Sequence, residues 1–479
     1  MSFPHAAHRG LSVTLFTLAS ALAAESAVPT TPTAAQLAEL QRVNGDLIRR
    51  LEALEQQVAT PVAPASTPGA VRLLDLSLDI LTCAGGSSAT DEEIAQLQTG
   101  GHDPKRRGFT FQGAELSIAG AVDPYFTAEM HAVLVREEPS GATGIELEEA
   151  FARSSGLPYG LELKAGHYLT EFGRFNPTHP HSWAFIDQPI IVGRVFGLDG
   201  QRAPGVRLLA SLPTPWLSEL LVNTQNADGE TTSAFLGAPA EEGAEAGHDH
   251  GGGPLGGYPQ AARDNGPHLL YSTRWVNAWD VESVMVKVGA SAATGPSAGG
   301  GTTTIVGADL GAKWTPTGGQ RGFPFVLTEM EFLQRRYGVD GVVAEGSGPD
   351  GVLGTGDEEI TEAPGGALVD RGVVLQAIWG FHPGWSLGLR YEFATGSGET
   401  IHVETDAGGG QEIHEEGRDG DPGRGNRQRW SPLLGWQPSE FTHFRLQYDY
   451  DRASFLDRPA HSVWLGAEFL IGAHPAHTF

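Results

Sequence analysis

The sequence predicts an all-β protein, a transmembrane antiparallel β-barrel of about 16 strands, preceded by a short coiled-coil helix. Three observations predict it: apolar and polar residues alternate in short segments, the connections between them are alternately short and long, and tryptophans stand beside the short ones. The predicted organisation is a signal peptide over 1–24, a coiled-coil helix over 33–59, a Pro-rich linker over 60–70 and the barrel over 71–479.

The amino terminus has the features of a secretory signal peptide. An apolar stretch over 11–24 follows Arg9, and small residues at Ala21 and Ala23 suit signal peptidase. The stretch is too short to serve as a membrane anchor. We therefore expect an exported chain.

A heptad pattern predicts the coiled-coil helix. Its core positions, spaced three and four apart, are Leu37, Leu40, Asn44, Leu47, Leu51, Leu54 and Val58. A polar Asn44 at such a position would fix register and oligomeric state. The alternative is one amphipathic helix resting on another surface, because Gly45 weakens so short a coil. If the helix associates, the barrel is a homo-oligomer tied on its periplasmic side, and a trimer is our hypothesis.

The period of two that marks a half-buried strand is clear at both ends of the barrel. It runs through residues 74–80 and again through 443–450, where one set of alternate positions is apolar and the other polar. A soluble all-β protein would show the same alternation. The export signal favours the membrane barrel.

The connections differ in length in a regular way. Short turns containing Pro or Gly are predicted at 122–125, 156–160, 212–216, 382–385 and 436–439. Long connections are predicted at 82–108, 170–204, 226–267, 338–366 and 396–427. Outer-membrane barrels pair tight periplasmic turns with long outer loops, so both barrel ends are expected on the periplasmic side.

A barrel this wide cannot be filled by its own side chains, so an aqueous channel is expected. The predicted lumen residues are Glu129, His131, Glu329, Glu331, Arg390, Glu392, His443 and Arg445. The aromatic and cationic connection 170–204 is predicted to fold inward as a constriction. Its side chains offered to the permeant would be Arg174, His179, His181, Asp187, Arg194 and Arg202. The alternative is an ordered cap on the outer surface.

Three groups of histidines suggest metal binding. They are His248 and His250 with Asp249, then His179 and His181, then His474 and His477. Imidazole with carboxylate suits zinc, but no group has the spacing of a structural site, so exchangeable binding is expected. The alternatives are a solvated loop and histidines that only shape a strand end. The protein would need no resident cofactor, with Zn²⁺ or another divalent cation as its expected ligand.

Charge and missing motifs exclude other functions. The formal net charge of −27 concentrates cations, repels anions and opposes nucleic-acid binding. A phosphate channel would need a ladder of Arg and Lys along the strands, which the sequence does not suggest. The acidic loop 350–359 lacks the alternating ligands of a calcium loop. No nucleophile, phosphate-loop or zinc-protease motif is present, so no enzyme is predicted.

Three segments resemble bacterial outer-membrane proteins labelled zinc-regulated (TonB-dependent) receptors. They are residues 171–181, which include His179-Pro180-His181, residues 186–189 and the closing residues 470–479. The layout also resembles the phosphate-selective porins. The resemblance implies outer-membrane uptake linked to divalent metal, zinc above all.

These observations predict a porin-like channel for passive uptake of small hydrophilic solutes, either cations or divalent metal such as zinc. Its expected partners are outer-membrane lipid and the permeating solutes. The alternatives are an anion or phosphate porin and a surface metal-binding protein anchored by a barrel.

Overall fold

A computed structural model describes residues 74–136, 141–238, 268–319, 322–347, 360–405, 410–416 and 423–472. The predicted signal peptide, coiled-coil helix and linker lie outside these residues, as do His248, Asp249, His250, His474 and His477. Within the described part, no helix is both long and apolar enough to cross a bilayer.

The predicted barrel is confirmed: among the described residues, sixteen strands form one closed antiparallel sheet. They are β1 (Leu74–Ser87), β2 (Gly108–Ala121), β3 (Phe126–Arg136), β4 (Thr143–Ser154), β5 (Leu161–Leu169), β6 (Arg202–Ser211), β7 (Leu217–Asn226), β8 (Leu269–Val281), β9 (Val284–Pro296), β10 (Gly300–Trp314), β11 (Phe325–Val339), β14 (Gly366–His382), β15 (Trp385–Ser397), β18 (Arg427–Ser439), β19 (Thr442–Ala453) and β20 (Ala460–Gly472). The last strand pairs with the first, with Ser77 opposite Gly472. Because the strand number is even, both barrel ends lie at the same rim.

Two long connections contain hairpins that the sequence analysis did not predict. They are β12 (Val342–Glu345) with β13 (Ile360–Ala363), and β16 (Thr400–Thr405) with β17 (Gln411–Glu416). The last short turn is also displaced from its predicted place, because β18 continues to Ser439 and the chain reverses at 440–441. The turn at 122–125 is as predicted, and there the Asp123 carboxylate accepts the N–H groups of Tyr125 and Phe126.

The outer surface is apolar and the interior is polar. In β1 the side chains of Leu74 and Leu76 are more than half exposed, while Ser77 and Asp79 are buried on the opposite face. Exposed apolar side chains recur on alternate positions around the barrel, which is the pattern of a lipid-facing surface. Near the short turns, tryptophans pair as Trp216 with Trp279 and Trp385 with Trp436. Such aromatics suit a membrane interface.

The connection between β5 and β6, residues 170–201, lies inside the barrel. Its helix α2 (Ile190–Phe196) is buried along its whole length and packs against the inner faces of β11, β14 and β15. Glycine in β14 permits this approach, because a Cβ at Gly372 would lie 2.8 Å from Ile191. A second short helix, α1 (Asp91–Leu97), follows β1 and begins at a capping box formed by Thr90 and Glu93.

Candidate functional site

The inner connection carries two histidines to the wall formed by β2, β3 and β4. Besides α2, this connection contains one 3-10 turn, Pro180–Ser182, which precedes the helix. In this turn the N–H of Ser182 donates to the carbonyl of His179. This turn directs His179 and His181 toward carboxylates on the strands. We call the resulting group the His–Glu cluster; its members are Glu115, His131, Glu148, Glu149, His179 and His181.

Hydrogen bonds join the members of the His–Glu cluster directly. The two ring nitrogens of His179 lie 2.7 Å from Glu148 Oε2 and 2.9 Å from Glu149 Oε2. On the other side, Glu115 binds two imidazoles: its Oε1 lies 2.8 Å from His131 Nδ1 and its Oε2 lies 2.8 Å from His181 Nδ1. A neutral imidazole has one N–H and can donate to only one of these two carboxylates. To bind both, His179 needs a proton or a metal ion on each ring nitrogen.

A β-bulge brings the two adjacent glutamates of β4 to the same side. The register shifts between His131 and Ala132, so that Glu149 lies opposite His131 and Leu147 opposite Ala132, with Glu148 as the extra residue. A bulge re-aims side chains that would otherwise alternate. Both carboxylates therefore point into the barrel.

The His–Glu cluster has the donor types of a metal site, and three of its ligand atoms lie close to the spacing that such a site needs. One ligand atom from each of Glu115, His131 and His179 lies within 4.8 Å of the others. Zinc with bonds of about 2.0–2.1 Å needs tetrahedral ligand atoms about 3.4 Å apart, so modest side-chain shifts would close the site.

Burial and charge act in opposite directions on the histidines of the inner connection. Burial alone would lower the pKa of His179, but Glu148 and Glu115 outweigh it and raise that pKa well above its usual value. Burial would also lower the pKa of His181, but Glu115 outweighs burial and raises that pKa. The carboxylates thus favour a positive charge at this point.

Exposure inside the barrel increases toward the short-turn rim. The side chains of Glu129, Arg153 and Glu162 are 25, 39 and 31 % exposed, whereas Glu115 and Glu148 are 3 and 4 % exposed. The His–Glu cluster therefore lies deeper in the barrel than side chains that water reaches from that rim.

A neighbouring part of the inner wall, separated from β2 by two strands, contains a group that we call the arginine wall: Arg390, Arg427, Arg429 and Arg445, on β15, β18 and β19. The expectation that no arginine ladder lines the strands is wrong for these three adjacent strands. All four side chains are buried. Each has an acidic partner, and the residues that supply these partners are Asp187, Glu392, Asp451 and Glu468.

Three side chains that were predicted to contact the permeant are buried and bind other groups of the protein. Asp187 is buried between Arg390, at 2.5 Å, and Arg429. Burial would raise the pKa of Asp187, but these two guanidinium groups lower it below its usual value. Arg194 is buried and donates to the carbonyls of Arg424 and Gly425. Arg202 begins β6 and pairs with Glu146. These three side chains are held in place because the inner connection packs tightly on the wall, and their contact with a permeant stays a prediction.

The predicted lumen positions lie on the inner faces of their strands. Glu329 pairs with Arg174, and Glu331 accepts the main-chain N–H groups of Arg174 and Phe175. Glu392 accepts the N–H of Ile190. His443 lies 3.8 Å from Glu468 and is 22 % exposed. Contact of these residues with solute stays a prediction.

Sequence reasoning missed the carboxylates of the His–Glu cluster. Glu115, Glu148 and Glu149 are distant in sequence from His179 and meet it only through strand register. One signal was available: the doubled Glu148-Glu149 breaks the alternation of β4, which indicates a bulge.

No family model matches the chain. An uncharacterised protein of Aquifex aeolicus is 27% identical over 434 residues, which cover 85% of this chain and 80% of that protein. The outer-membrane channel DcaP of Acinetobacter baumannii has a similar structure, with a TM-score of 0.50 and 10% identity over 83% of this chain and 97% of DcaP. OprB of Pseudomonas putida gives a TM-score of 0.46 and 11% identity over 84% and 94% of the two chains. The likeness to DcaP shows the fold.

Proposed function

We propose that this protein is a porin-like channel of the bacterial outer membrane that passes small hydrophilic solutes without an energy source and favours cations, divalent metal such as zinc above all. An apolar outer surface and a closed barrel support residence in the membrane. Ionised side chains on the inner faces need water or opposite charges beside them, and the partial exposure of Glu129, Arg153 and Glu162 near the short-turn rim supports the presence of water there.

The observation that carries the metal preference is the His–Glu cluster. It combines three imidazoles with three carboxylates in one buried group, and this is a donor set that zinc accepts. The resemblance of residues 171–181 to zinc-regulated receptors points the same way. In this proposal the metal is cargo that passes through the site.

An anion channel is the less favoured alternative. It would need exposed positive charge in the lumen, but the arginine wall is buried and paired with acids. The net charge of −27 also repels anions from the entrance.

Two measurements on the purified protein test the proposal. Ion current across a planar bilayer separates a channel from a barrel that only anchors a metal-binding surface, and absence of current refutes the channel. Calorimetric titration with zinc tests the site. We expect His179→Ala to remove the tightest binding, while His382→Ala, at an exposed short turn, leaves it unchanged. Equal binding by both variants refutes the metal site.

We also propose that the chain forms a homo-oligomer, with a trimer as the first hypothesis, through the predicted periplasmic helix over 33–59. The heptad pattern supports it. Light scattering of the full chain and of a variant lacking 33–59 tests this, and an unchanged mass on deletion removes the helix from the proposal.

A further inference from the structure

A second group of ligand-type side chains lies beside the His–Glu cluster. His102 precedes β2, Glu146 is on β4 and Asp199 follows α2, and one ligand atom from each lies within 4.8 Å of the others. Since β4 runs from the long-loop rim to a short turn, Glu146 is nearer the long-loop rim than Glu149. The second group therefore lies nearer the long-loop rim than the His–Glu cluster does.

His102 is oriented as a metal ligand would be. Its Nδ1 lies 2.8 Å from the carbonyl oxygen of Gln112, and a carbonyl only accepts, so Nδ1 carries the proton. Nε2 is then the nitrogen that faces inward, where it can exchange a proton for a metal ion. This atom is buried without a hydrogen-bond partner, and Glu148 Oε1 is 3.6 Å away, beyond hydrogen-bond length. Metal-bound histidines commonly donate their other N–H to a main-chain carbonyl in this way.

The charges around His102 suit a divalent cation. Glu146, Glu148 and Asp199 supply three negative charges, and Arg202, paired with Glu146, supplies one positive charge. The carboxylates around His102 outnumber the guanidinium group, so the local charge favours a cation. Glycine allows Asp199 to approach, because a Cβ at Gly101 would lie 2.0 Å from Asp199 Oδ1.

We propose that His102, Glu146 and Asp199 form a second divalent-cation site, which Glu148 joins to the His–Glu cluster. The two oxygens of Glu148 face different sites: Oε1 faces His102 and Oε2 faces His179. This inference rests on the proposed function.

Two adjacent sites change what the channel can do. A single site that binds metal tightly would hold its ion and block the path. When a second ion arrives beside the first, repulsion between them promotes release, as in channels with neighbouring sites. The shared Glu148 makes the two sites close enough for this effect, with ions entering from the long-loop rim and leaving toward the short turns.

Counting bound ions tests the second site. Metal-free full-length protein is titrated with zinc against a chromophoric chelator, and the number of ions per chain is compared between wild type and variants. We expect His102→Ala and the more conservative Asp199→Asn each to lose one ion per chain, and His179→Ala to lose a different one. Glu148→Gln should weaken both sites, by about 10–100-fold. His382→Ala is the control, and circular dichroism checks that each variant keeps its β-sheet.

The outcomes separate the two proposals. If His179→Ala loses an ion while folded His102→Ala and Asp199→Asn bind as many ions as wild type, the second site is refuted and the proposed metal function stands. If wild type binds no zinc, the proposed metal function itself is refuted.

Discussion

The interior of the barrel has two charged sides that are built differently. On the arginine wall, buried guanidinium groups meet buried carboxylates and main-chain carbonyls; Arg429, for example, donates to Asp451 at 2.9 Å and to the carbonyl of Leu97 at 3.0 Å. In the His–Glu cluster the carboxylates meet imidazoles, whose charge depends on a proton or a metal. The charges of the arginine wall are always balanced, whereas the carboxylates of the His–Glu cluster are balanced only when protons or metal ions are bound.

This difference separates a structural role from a functional one. Arginine remains protonated in proteins, so the arginine wall holds the inner connection against the barrel under all ordinary conditions. Histidine can exchange its proton for metal. The inner connection thus has its hydrophobic core and Asp187 as a fixed anchor, while His179 and His181 are presented to the carboxylates of β2 and β4.

Removing the anchor should have the largest effect on stability. Asp187→Ala leaves Arg390 and Arg429 buried with less negative charge, and breaking one partner of a buried ion pair costs about 3–5 kcal/mol. Urea unfolding in detergent should show a loss of this size. The exposed Asp91→Ala, which breaks only its surface pair with Arg107, should change little. A near-equal effect of the two substitutions would show that Asp187 is not the anchor.

The two sides should respond to pH in opposite directions in zinc-free protein. The pKa of His179 is raised on folding, as is that of His102, to about 9, where Glu148 outweighs burial. Their stabilisation is complete below the unfolded pKa of about 6.5 and is lost as pH rises through the folded values. Asp187 has a lowered pKa, so its contribution is present above about 3.8 and lost as pH falls further. Urea midpoints between pH 3 and 10 (roughly the range of these titrations) measure both losses, and zinc should reverse only the alkaline one. A urea midpoint that rises steadily with pH would contradict the predicted loss of histidine stabilisation at alkaline pH.

Changing the carboxylate on the far side of His179 should have a smaller effect, confined to metal. Glu149→Gln keeps an oxygen for the N–H of Leu169 but removes the charge facing His179 Nε2, so zinc affinity should fall about 10–100-fold. Calorimetry measures this. Glu162→Gln, another carboxylate inside the barrel, is the matched control; if it lowers affinity equally, general negative charge and not the His–Glu cluster binds the metal.

The smallest effect is expected from the loop histidines outside the described residues. Replacing His248 and His250 by Ala should remove weak, exchangeable ions and leave the tight binding of the His–Glu cluster within about twofold, since a Gly-rich sequence does not favour one arrangement of its ligands. Zinc titration of the double variant checks this. Loss of the tight site would move the metal function to that loop.

The sequence predicted the barrel well because strand alternation and turn length are local properties. The period of two in residues 74–80 requires no knowledge of partners. The His–Glu cluster was found only in part: His131, His179 and His181 were selected by type, whereas Glu115 and Glu148 depend on the register of three strands and on a bulge. The burial of Arg194 and Asp187 could not be predicted, because charge in a loop suggests exposure and only packing of the inner connection shows that they are buried.

Zinc permeation is measured most directly by the reversal potential of the channel in a planar bilayer with a zinc chloride gradient. We expect a shift toward the zinc equilibrium potential, reduced in His179→Ala and retained in His382→Ala. A shift toward the chloride equilibrium potential in the wild-type protein would contradict this expectation.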